Sequence, residues 1–312
     1  MIRRAFVTGG RGFVGAWLVN ELLNHGYHVV SLVRDNIGGR EPIRRELIEV
    51  SGDTRDVDLL FRILTDYDIT FVFHLAAQAY VTKALINPFE TWDSNVRGTY
   101  ALLDICRRYR ELQGVYIMSS DKAYGSSPAP YREDTPLTGT YPYDATKYVT
   151  EIAARSYAAT YGLPVVIGRP SNIYGPGDLH PTRLIPGTIL SVLEGEPPII
   201  RSDGLPSRDY LYVTDIVRGI RILGEKAQEF AGEAFNFGTG IPIRVLDLVN
   251  KILKLMNSNL EPNVQGTARA ELDIQYIDAT KAQRLLGWSP RVSLDDGLRE
   301  TIAWWADGRP LQ

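Results

Sequence analysis

The feature that most constrains this 312-residue chain is an alternation between short apolar segments and longer amphipathic segments. Short apolar runs are typical of strands buried on both faces, as in a parallel sheet covered by helices. The pattern predicts strands at residues 4–8, 29–33, 47–50, 71–74, 115–119 and 165–169, and helices at 12–25, 59–67, 95–108 and 143–161. We therefore expect an α/β fold with a Rossmann-like, doubly wound parallel sheet.

The second half of the chain has a different texture. Glycine and proline cluster at residues 175–178 and 196–198, which is typical of loops near a binding pocket. We expect one domain over residues 1–169 and a smaller, substrate-binding α/β domain over residues 170–312. A late strand near 233–238 is expected to return to the first sheet. Two helices are predicted within 278–306, separated at 287–290.

Composition excludes several classes of partner. The net charge of -3 and the absence of a Lys/Arg-rich run argue against nucleic acid or a membrane surface. No apolar stretch approaches the roughly 20 residues of a membrane span, and the first residues show no signal-peptide pattern. The single cysteine, Cys106, excludes an internal disulfide and fits a reducing cytoplasm. The four histidines show no metal-ligand spacing, so no metal site is expected.

A glycine-rich turn follows the first predicted strand. Residues 8–15 read TGGRGFVG, and a helical pattern begins directly after them. Glycines at 9, 12 and 15 permit a tight turn, a close approach of backbone N–H groups to a pyrophosphate, and close packing of helix on strand. The motif predicts a dinucleotide site that uses Gly9, Gly12, Phe13 and Val14, so residues 1–169 are expected to bind NAD or NADP.

The residues after the second and third strands bear on the choice of cofactor. An acidic residue after the second strand binds the ribose of NAD, whereas a basic one accommodates the extra phosphate of NADP. Arg34 stands there and favours NADP, and Asp35 is the alternative ribose ligand. Asp53 and Thr54 follow the third strand, where we expect contact with the adenine; Asp53 could instead be a simple turn residue.

Two short motifs carry the predicted chemistry. Tyr143 and Lys147 are four residues apart, so they share one face of a helix. Tyrosine has a pKa near ~10 in water, and a neighbouring lysine and a positively charged nicotinamide would lower it. Ser120, Asp121 and Lys122 follow the fifth strand, at the sheet edge where such folds bind ligands. Either motif alone could be a chance match or an ordinary surface turn.

Taken together, the motifs resemble the extended short-chain dehydrogenase/reductases, the NAD-dependent epimerase/dehydratase family. The resemblance covers essentially the whole chain and rests on motifs in the family's order: the glycine turn, HLAAQ at 74–78, NVRGT at 95–99, Ser120, Tyr143 with Lys147, RPSNIYGPGD at 169–178, RLIP at 183–186, RDY at 208–210 and LGW at 286–288.

Within that family, Ser120-Asp121-Lys122 resembles the CDP-glucose 4,6-dehydratases, and Arg34 resembles the NADP-using GDP-mannose 4,6-dehydratases. The resemblance implies conversion of a nucleotide-diphosphate hexose to its 4-keto-6-deoxy form, with a tightly bound cofactor regenerated in each turnover. Tyr143, aided by Lys147 and Ser120, would take the O4 proton. Asp121, protonated, would donate to the departing C6 hydroxyl, and Lys122 stands where other dehydratases carry the C5 base.

The resemblance also implies binding residues and an assembly. Leu75, Ala76, Ala77, Lys147 and Pro170 are expected at the cofactor, and Gln78, Ser120, Asn172, Arg183 and Arg208 at the substrate. Arg208 could instead pair with Asp209 or Asp215. A homodimer is implied, through a four-helix bundle that includes helix 143–161. Its apolar residues Val149, Ile152, Ala153 and Tyr157 could equally belong to the core.

Two alternative functions remain at the level of sequence. A 4-epimerase or a 4-ketoreductase would use the same scaffold with Tyr143 and Lys147, but would not need Asp121 and Lys122 for proton transfer. A cofactor-binding protein without turnover is the other alternative, which the intact Ser120, Tyr143 and Lys147 disfavour.

Overall fold

A seven-stranded sheet forms the centre of the structure, a computed structural model that describes residues 3–34, 46–267 and 272–308. Its strands are β1 (Arg3–Thr8), β2 (Tyr27–Val33), β3 (Leu47–Ser51), β4 (Phe71–His74), β5 (Gly114–Met118), β6 (Val165–Pro170) and β11 (Ala234–Phe237). They lie in the order β11-β6-β5-β4-β1-β2-β3. The pairings from β3 through β6 are parallel, which confirms the predicted fold class. Asp35 lies outside the described residues.

The strand order determines where loops converge. Strand β1 lies between β4 and β2, so the chain direction across the sheet reverses beside β1. In open parallel sheets, ligands bind outside the carboxyl ends of the strands at such a reversal. The segments that follow Thr8, His74 and Met118 leave neighbouring strands at that edge.

The helices largely follow the predicted periodicity. They are α1 (Phe13–Asn24), α2 (Val57–Asp66), α3 (Val81–Ile86), α4 (Pro88–Trp92), α5 (Gly98–Arg108), α6 (Pro142–Tyr161), α7 (Leu184–Glu194), α8 (Val213–Glu225), α9 (Val245–Leu255), α10 (Thr280–Leu286) and α11 (Leu294–Ala306). Between α4 and α5 the chain makes a π-helical turn over Asp93–Arg97, and a 3₁₀ helix spans Asp121–Tyr124. The sequence pattern predicted neither turn, because each departs from the regular α-helical period.

One face of the sheet packs against α2, α5 and α6. Leu60 and Leu64 of α2, Leu102 of α5 and Ala154 of α6 are buried in that layer. Each fully buried leucine stabilises the fold by about 1.5–3 kcal/mol. Cys106 is 1% exposed in the same layer, and burial raises the pKa of its thiol, so it is a core residue and not a nucleophile.

The described residues divide into two compact units. The first lies within Met1–Ser127, Glu133–Arg169 and Val217–Phe235, and the second within Pro128–Arg132, Pro170–Ile216 and Asn236–Gln312. The second unit contains three small sheets with the strand orders β10-β7, β12-β9-β14 and β13-β8. Their strands are β7 (Asn172–Tyr174), β8 (Ile199–Ile200), β9 (Ser207–Arg208), β10 (Tyr210–Tyr212), β12 (Ile243–Arg244), β13 (Asn263–Val264) and β14 (Ile274–Gln275).

The LGW motif has a structural role in the second unit. Gly287 ends α10 in the left-handed conformation, with φ of 63°. Trp288 is fully buried, its ring centroid lies 4.9 Å from that of Phe237, and its indole N–H donates to the carbonyl of Asp215 at 2.9 Å. The motif therefore anchors the loop between α10 and α11.

Candidate active site

The glycine turn is built for close backbone packing. Gly9 has φ of 76°, and a Cβ there would lie 2.9 Å from the backbone nitrogen of Ala76. Gly12 N donates to Gly9 O at 2.9 Å, and a Cβ on Gly15 would lie 1.9 Å from that same oxygen. Helix α1 begins at Phe13, with Gly12 as an N-cap that has no side chain to bond the first turn. This backbone cradle at a helix N-terminus fits the pyrophosphate of a dinucleotide.

A buried histidine connects the glycine turn to the loop after β4. His74 Nδ1 lies 2.7 Å from Thr8 Oγ1, and His74 Nε2 lies 3.0 Å from Thr99 Oγ1. Thr99 donates to the carbonyl of Asn95 at 2.6 Å, so it must accept from His74 Nε2–H, and Nδ1 accepts from Thr8. Burial, followed by the charge of Lys147, lowers the pKa of His74 to about 3. The ring is therefore neutral.

The predicted cofactor segment Leu75, Ala76 and Ala77 is held by this network. Ala76 N donates to Thr8 Oγ1 at 3.2 Å, and Leu75 N donates to Thr8 O at 3.2 Å. The threonine thus fixes the loop against the strand that carries the glycine turn. Sequence reasoning singled out the loop but gave no role to Thr8, His74 or Thr99.

Asn95 fixes the next part of the same loop. Its Oδ1 accepts from Gln78 N at 2.7 Å, and its Nδ2 donates to Gln78 O at 3.2 Å and Thr146 Oγ1 at 3.0 Å. The Gln78 amide donates to Tyr80 O at 3.1 Å and Thr91 Oγ1 at 3.0 Å, and accepts from Tyr80 N. Gln78, a predicted substrate ligand, is thus engaged within the loop, and its contact with substrate stays a prediction.

Asp53 forms a close pair with Arg55 in the turn after β3. Its carboxylate accepts from Arg55 Nε at 2.7 Å, Arg55 NH2 at 2.8 Å and Arg55 N at 2.9 Å. The bonds from Arg55 are the main cause that lowers the pKa of Asp53, and the charge of Arg34 acts in the same direction. Thr54 packs closely on Gly98, where a Cβ would lie 2.6 Å from Thr54 Oγ1. Sequence reasoning did not identify Arg55.

Tyr143 and Lys147 lie on α6, as predicted, and both are buried. The Lys147 ammonium donates to the carbonyl of Met118 at 2.7 Å and lies 5.9 Å from the centre of the Tyr143 ring. Burial lowers the pKa of Lys147 to about 8, and the charge of Glu151 opposes that shift. The lysine is thereby tied to the end of β5, the strand that leads to Ser120.

Ser120, Asp121 and Lys122 form one polar cluster. Ser120 caps the 3₁₀ helix by accepting from Lys122 N at 3.2 Å, and it donates to Asp121 Oδ1 at 3.1 Å. Lys122 Nζ lies 3.3 Å from Asp121 Oδ1 and 3.4 Å from Oδ2. Asp121 is 2% exposed. Asp121 and Lys122 are thus each other's partners, and the role of Asp121 as proton donor stays a prediction.

Asp144 is a further titratable group near this cluster. It follows Tyr143 on α6 and is mostly buried. Burial raises the pKa of Asp144 to about 6, with the charge of Lys122 lowering it and that of Asp121 raising it. No motif indicated this residue, because its environment depends on how α6 packs on the 3₁₀ helix.

The remaining predicted ligands lie in the second unit. Pro170 is the last residue of β6. Asn172 Nδ2 donates to Asp209 O at 3.1 Å, Arg183 pairs with Asp178 at 3.0 Å, and Arg208 donates to the carbonyls of Ser207 and Leu272, both at 2.8 Å.

Two other kinds of feature are absent from the described residues. Within residues 3–34, 46–267 and 272–308, no group of three or more His, Cys, Asp or Glu side chains could hold a metal ion. In the same part of the chain, no helix combines the length and the apolar character needed to cross a bilayer.

The chain is similar to a known family and to known proteins over most of its length. The NAD dependent epimerase/dehydratase family model matches residues 5–238. A trifunctional UDP-glucose 4,6-dehydratase/UDP-4-keto-6-deoxy-D-glucose 3,5-epimerase/UDP-4-keto-L-rhamnose-reductase of Arabidopsis thaliana is 30% identical over 319 residues, covering 98% of this chain and 47% of that protein. The chain thus spans about half the length of that plant relative.

Two solved structures show the same fold at similar identity. The UDP-glucose 4-epimerase of Thermotoga maritima, solved with UDP-glucose, has a TM-score of 0.91 and 30% identity, covering 98% of this chain and 99% of that one. The dTDP-glucose 4,6-dehydratase of Streptomyces venezuelae, solved with NAD bound, has a TM-score of 0.89 and 30% identity, covering 98% of each chain. The names of these two enzymes give different reactions, so similarity of fold does not identify the reaction of this chain.

Proposed function

Because this chain belongs to the NAD-dependent epimerase/dehydratase family, we propose that it is a nucleotide-sugar 4,6-dehydratase. The observation that carries the proposal is the pair of Asp121 and Lys122 beside Ser120. Oxidation and reduction at C4 need only one acid/base group, which Tyr143 supplies. A second carboxyl and amine at the same strand end serve a reaction with further proton transfers, which is what loss of water from C5 and C6 requires.

The first step of the proposed reaction removes a proton from the sugar O4. Tyr143 accepts that proton, and the Lys147 ammonium stabilises the negative charge on the phenol oxygen. Ser120 shares a hydrogen bond with O4 and Tyr143. The bound nicotinamide supplies one kind of chemistry, acceptance of a hydride from C4 and its later return at C6.

The second step eliminates water. The 4-ketone makes the C5 hydrogen acidic, and the paired Asp121 and Lys122 lie within hydrogen-bond reach of each other. A proton moves from the Lys122 ammonium to the Asp121 carboxylate, which produces a neutral amine and a neutral acid. Lys122 then takes the C5 proton while Asp121 gives its proton to the departing C6 hydroxyl. The elimination thereby regenerates the resting ion pair, and neither residue needs to be neutral beforehand.

Proton balance closes over the whole cycle. Lys122 gives one proton to C5 when the double bond is reduced, which leaves its amine neutral. The proton that Tyr143 took from O4 then passes to Lys122 and restores the resting state of both residues. Substrate and product therefore differ by one molecule of water, and the cofactor is regenerated.

For the cofactor, we propose the set named from sequence: Gly9, Gly12, Phe13 and Val14 at the pyrophosphate, Asp53 and Thr54 at the adenine, Leu75, Ala76, Ala77 and Pro170 along the cofactor, and Tyr143 and Lys147 at the nicotinamide. Arg34 stands directly after β2 and carries our proposal of NADP over NAD. Replacing Arg34 by alanine should weaken binding of NADP far more than binding of NAD. Equal weakening of both would contradict a role for Arg34 in that choice.

For the substrate, we propose a nucleotide-diphosphate hexose of the CDP-glucose or GDP-mannose type. Arg183 and Arg208 suit the diphosphate because guanidinium groups bind phosphate in a bidentate manner. Asn172, Gln78 and Ser120 are the proposed sugar contacts. A 4-epimerase is the second candidate function, because the Thermotoga epimerase and the Streptomyces dehydratase are each 30% identical to this chain.

We also propose a homodimer in which α5 and α6 of each subunit form a four-helix bundle. Tyr100 on α5 and Ile152 on α6 are 46% and 49% exposed, large apolar residues that a partner helix would cover. Ala153 and Tyr157 pack against the core instead. Changing Ile152 to glutamate should give a monomer by light scattering, whereas an unchanged mass would exclude this interface.

Substrate carrying deuterium at C4 tests the reaction. In a dehydratase the deuterium appears in the C6 methyl group of the product, detected by NMR. In an epimerase it is found at C4 of the epimeric product, and in a ketoreductase run in reverse it leaves with the reduced cofactor; either result would replace the proposed function. The Tyr143→Phe variant should leave deuterium and substrate unchanged, while Tyr161→Phe, a change on the same helix at an exposed position, should behave as wild type.

A further inference from the structure

A second buried ion pair lies close to the active site, and the proposed reaction makes no use of it. Glu151 is 0% exposed and Arg169 is 1% exposed. Arg169 Nε lies 2.9 Å from Glu151 Oε1, and Arg169 NH2 lies 2.6 Å from Oε2, a bidentate geometry. Burying two charges costs several kcal/mol per ion before their attraction offsets it, so such a pair is weak evidence of stabilisation.

The pair connects three elements that carry active-site residues. Ser119, directly before Ser120, donates to Glu151 Oε1 at 2.5 Å. Glu151 itself lies one helical turn after Lys147 on α6. Arg169, in β6, also donates to the hydroxyl of Tyr124 at 2.7 Å, and Tyr124 is the last residue of the 3₁₀ helix that begins at Asp121. Both ends of the Ser120–Tyr124 segment are thus bonded, directly or through Arg169, to one carboxylate.

We propose that Glu151 is a positioning residue of the active site: through Ser119 and Arg169 it fixes the segment that carries Ser120 and Asp121, and its charge supports the Lys147 ammonium. The effect on turnover rests on the proposed function. The effect on Lys147 does not, since it concerns the free protein.

Among the charges around Lys147, Glu151 is the anion that supports its ammonium. On α6, Lys147 is flanked by Tyr143, Asp144 and Glu151; His74 of β4 is neutral, Asp121 and Lys122 are paired with each other, and Arg169 is bound to Glu151. The elements α3, α4, α5 and the π-helical turn also pack on α6, and their Lys83, Glu90, Asp93, Arg97, Asp104 and Arg107 form ion pairs near the surface. Burial alone disfavours the charged lysine, and Glu151 is the charge that opposes this effect.

A purely structural ion pair would predict a different outcome. Its loss would lower the stability of the fold and leave the titration of Lys147 and the pH dependence of turnover unchanged. The two roles are therefore separable in variants that remain folded.

The test compares the full-length wild type with Glu151→Gln, using protein labelled with ¹³C at the lysine ε-carbons. The Lys147 signal is assigned by its loss in Lys147→Met, and it is titrated by NMR without substrate. In Glu151→Gln, the pKa of Lys147 should fall below that of the wild type. The alkaline limb of the kcat profile should move to lower pH, and kcat should fall roughly 10- to 100-fold, as expected for an outer partner of a catalytic group.

Two further variants keep the test decisive if Glu151→Gln does not fold. Glu151→Gln leaves the Arg169 charge buried and unpaired, so the double variant Glu151→Gln/Arg169→Met removes both charges. Ser119→Ala removes the hydrogen bond to Glu151, so it should lower kcat with little change in KM. It keeps the ion pair of Glu151 and Arg169, so the Lys147 titration should remain as in the wild type. Far-UV circular dichroism and cofactor binding establish that each variant is folded.

Each outcome decides the proposal. An unchanged Lys147 titration together with unchanged kcat in the folded double variant would overturn it, as would wild-type kcat in Ser119→Ala if neither Glu151 variant folds. A shifted Lys147 titration in a protein that dehydrates no nucleotide sugar would overturn the proposed function and retain the role of Glu151 toward Lys147.

Discussion

The Lys122 ammonium lies 3.3 Å from the Asp121 carboxylate, and Asp121 is almost completely buried. The two groups proposed as base and acid of the elimination are therefore each other's partners in the resting protein. A proton transfer between them creates the neutral base and the neutral acid together. Their joint placement after β5 links the local sequence Ser120-Asp121-Lys122 to the chemistry that separates a dehydratase from an epimerase.

The first prediction concerns Asp121→Asn. The amide cannot protonate the leaving hydroxyl, so water loss should fall by about 10²- to 10⁴-fold, the usual contribution of a general acid. Oxidation at C4 should continue, and reduced cofactor should accumulate in the first turnover, measured by absorbance. Asp66→Asn, a change at an exposed position on α2, is the matched control and should behave as wild type. Water loss at the wild-type rate in Asp121→Asn would remove Asp121 from the mechanism.

The second prediction concerns the alkaline side of the pH profile. Burial lowers the pKa of Lys147 to about 8, so the ammonium that supports Tyr143 is present below that pH and lost above it. The kcat/KM profile, which reports the free enzyme, should fall about tenfold per pH unit above that value. A profile that stays flat up to the ordinary pKa of lysine, near ~10.4, would show that the charge of Lys147 is not needed.

The third prediction compares two glycines with the same backbone conformation. Gly9 and Gly26 have φ of 76° and 77°, so alanine at either position should cost about 1–3 kcal/mol of stability from backbone strain. At Gly9 the added Cβ would also lie 2.9 Å from Ala76 N, whereas at Gly26 it meets no described atom within 4 Å. Thermal unfolding should show a loss in both variants, larger for Gly9→Ala because of this clash, and only Gly9→Ala should lose cofactor binding in calorimetry. Equal affinities in the two variants would contradict the assignment of the turn.

The fourth prediction concerns stability in mild acid. Burial raises the pKa of Asp144 from 3.8 to about 6, so between these values the folded state holds a proton that the unfolded state has lost. The contribution of Asp144 is fully present below pH 3.8 and is lost as the pH rises through about 6. The unfolding free energy of the wild type minus that of Asp144→Asn should therefore decrease as the pH rises from 3.8 to about 6. A difference independent of pH would indicate that Asp144 titrates normally.

The sheet and the glycine turn could be predicted because their signals are local. Alternating apolar runs predict β1 to β6, and the spacing of Gly9, Gly12 and Gly15 indicates a tight turn, in which the backbone leaves no room for a Cβ at Gly9 and Gly15. The placement of Tyr143 and Lys147 on one helix face is predictable for the same reason, since residues four apart are neighbours on a helix surface.

The supporting contacts could not be predicted because they join distant segments. Arg169 and Glu151 are 18 residues apart, and Thr8 and His74 are 66 apart. Each of these side chains reads as an ordinary polar residue until the order of the strands brings it to its partner. The pairing of Asp121 with Lys122 is equally hidden in the sequence, because it depends on the tight 3₁₀ helix and not on composition.

The most direct test of the central claim is mass spectrometry of the purified protein in heavy water with CDP-glucose, GDP-mannose, dTDP-glucose, UDP-glucose and UDP-N-acetylglucosamine, without added cofactor. We predict that one of these gives a product lighter by one water that carries one solvent deuteron. A C4 epimer of unchanged mass would contradict the dehydratase account and with it the roles proposed for Asp121 and Lys122.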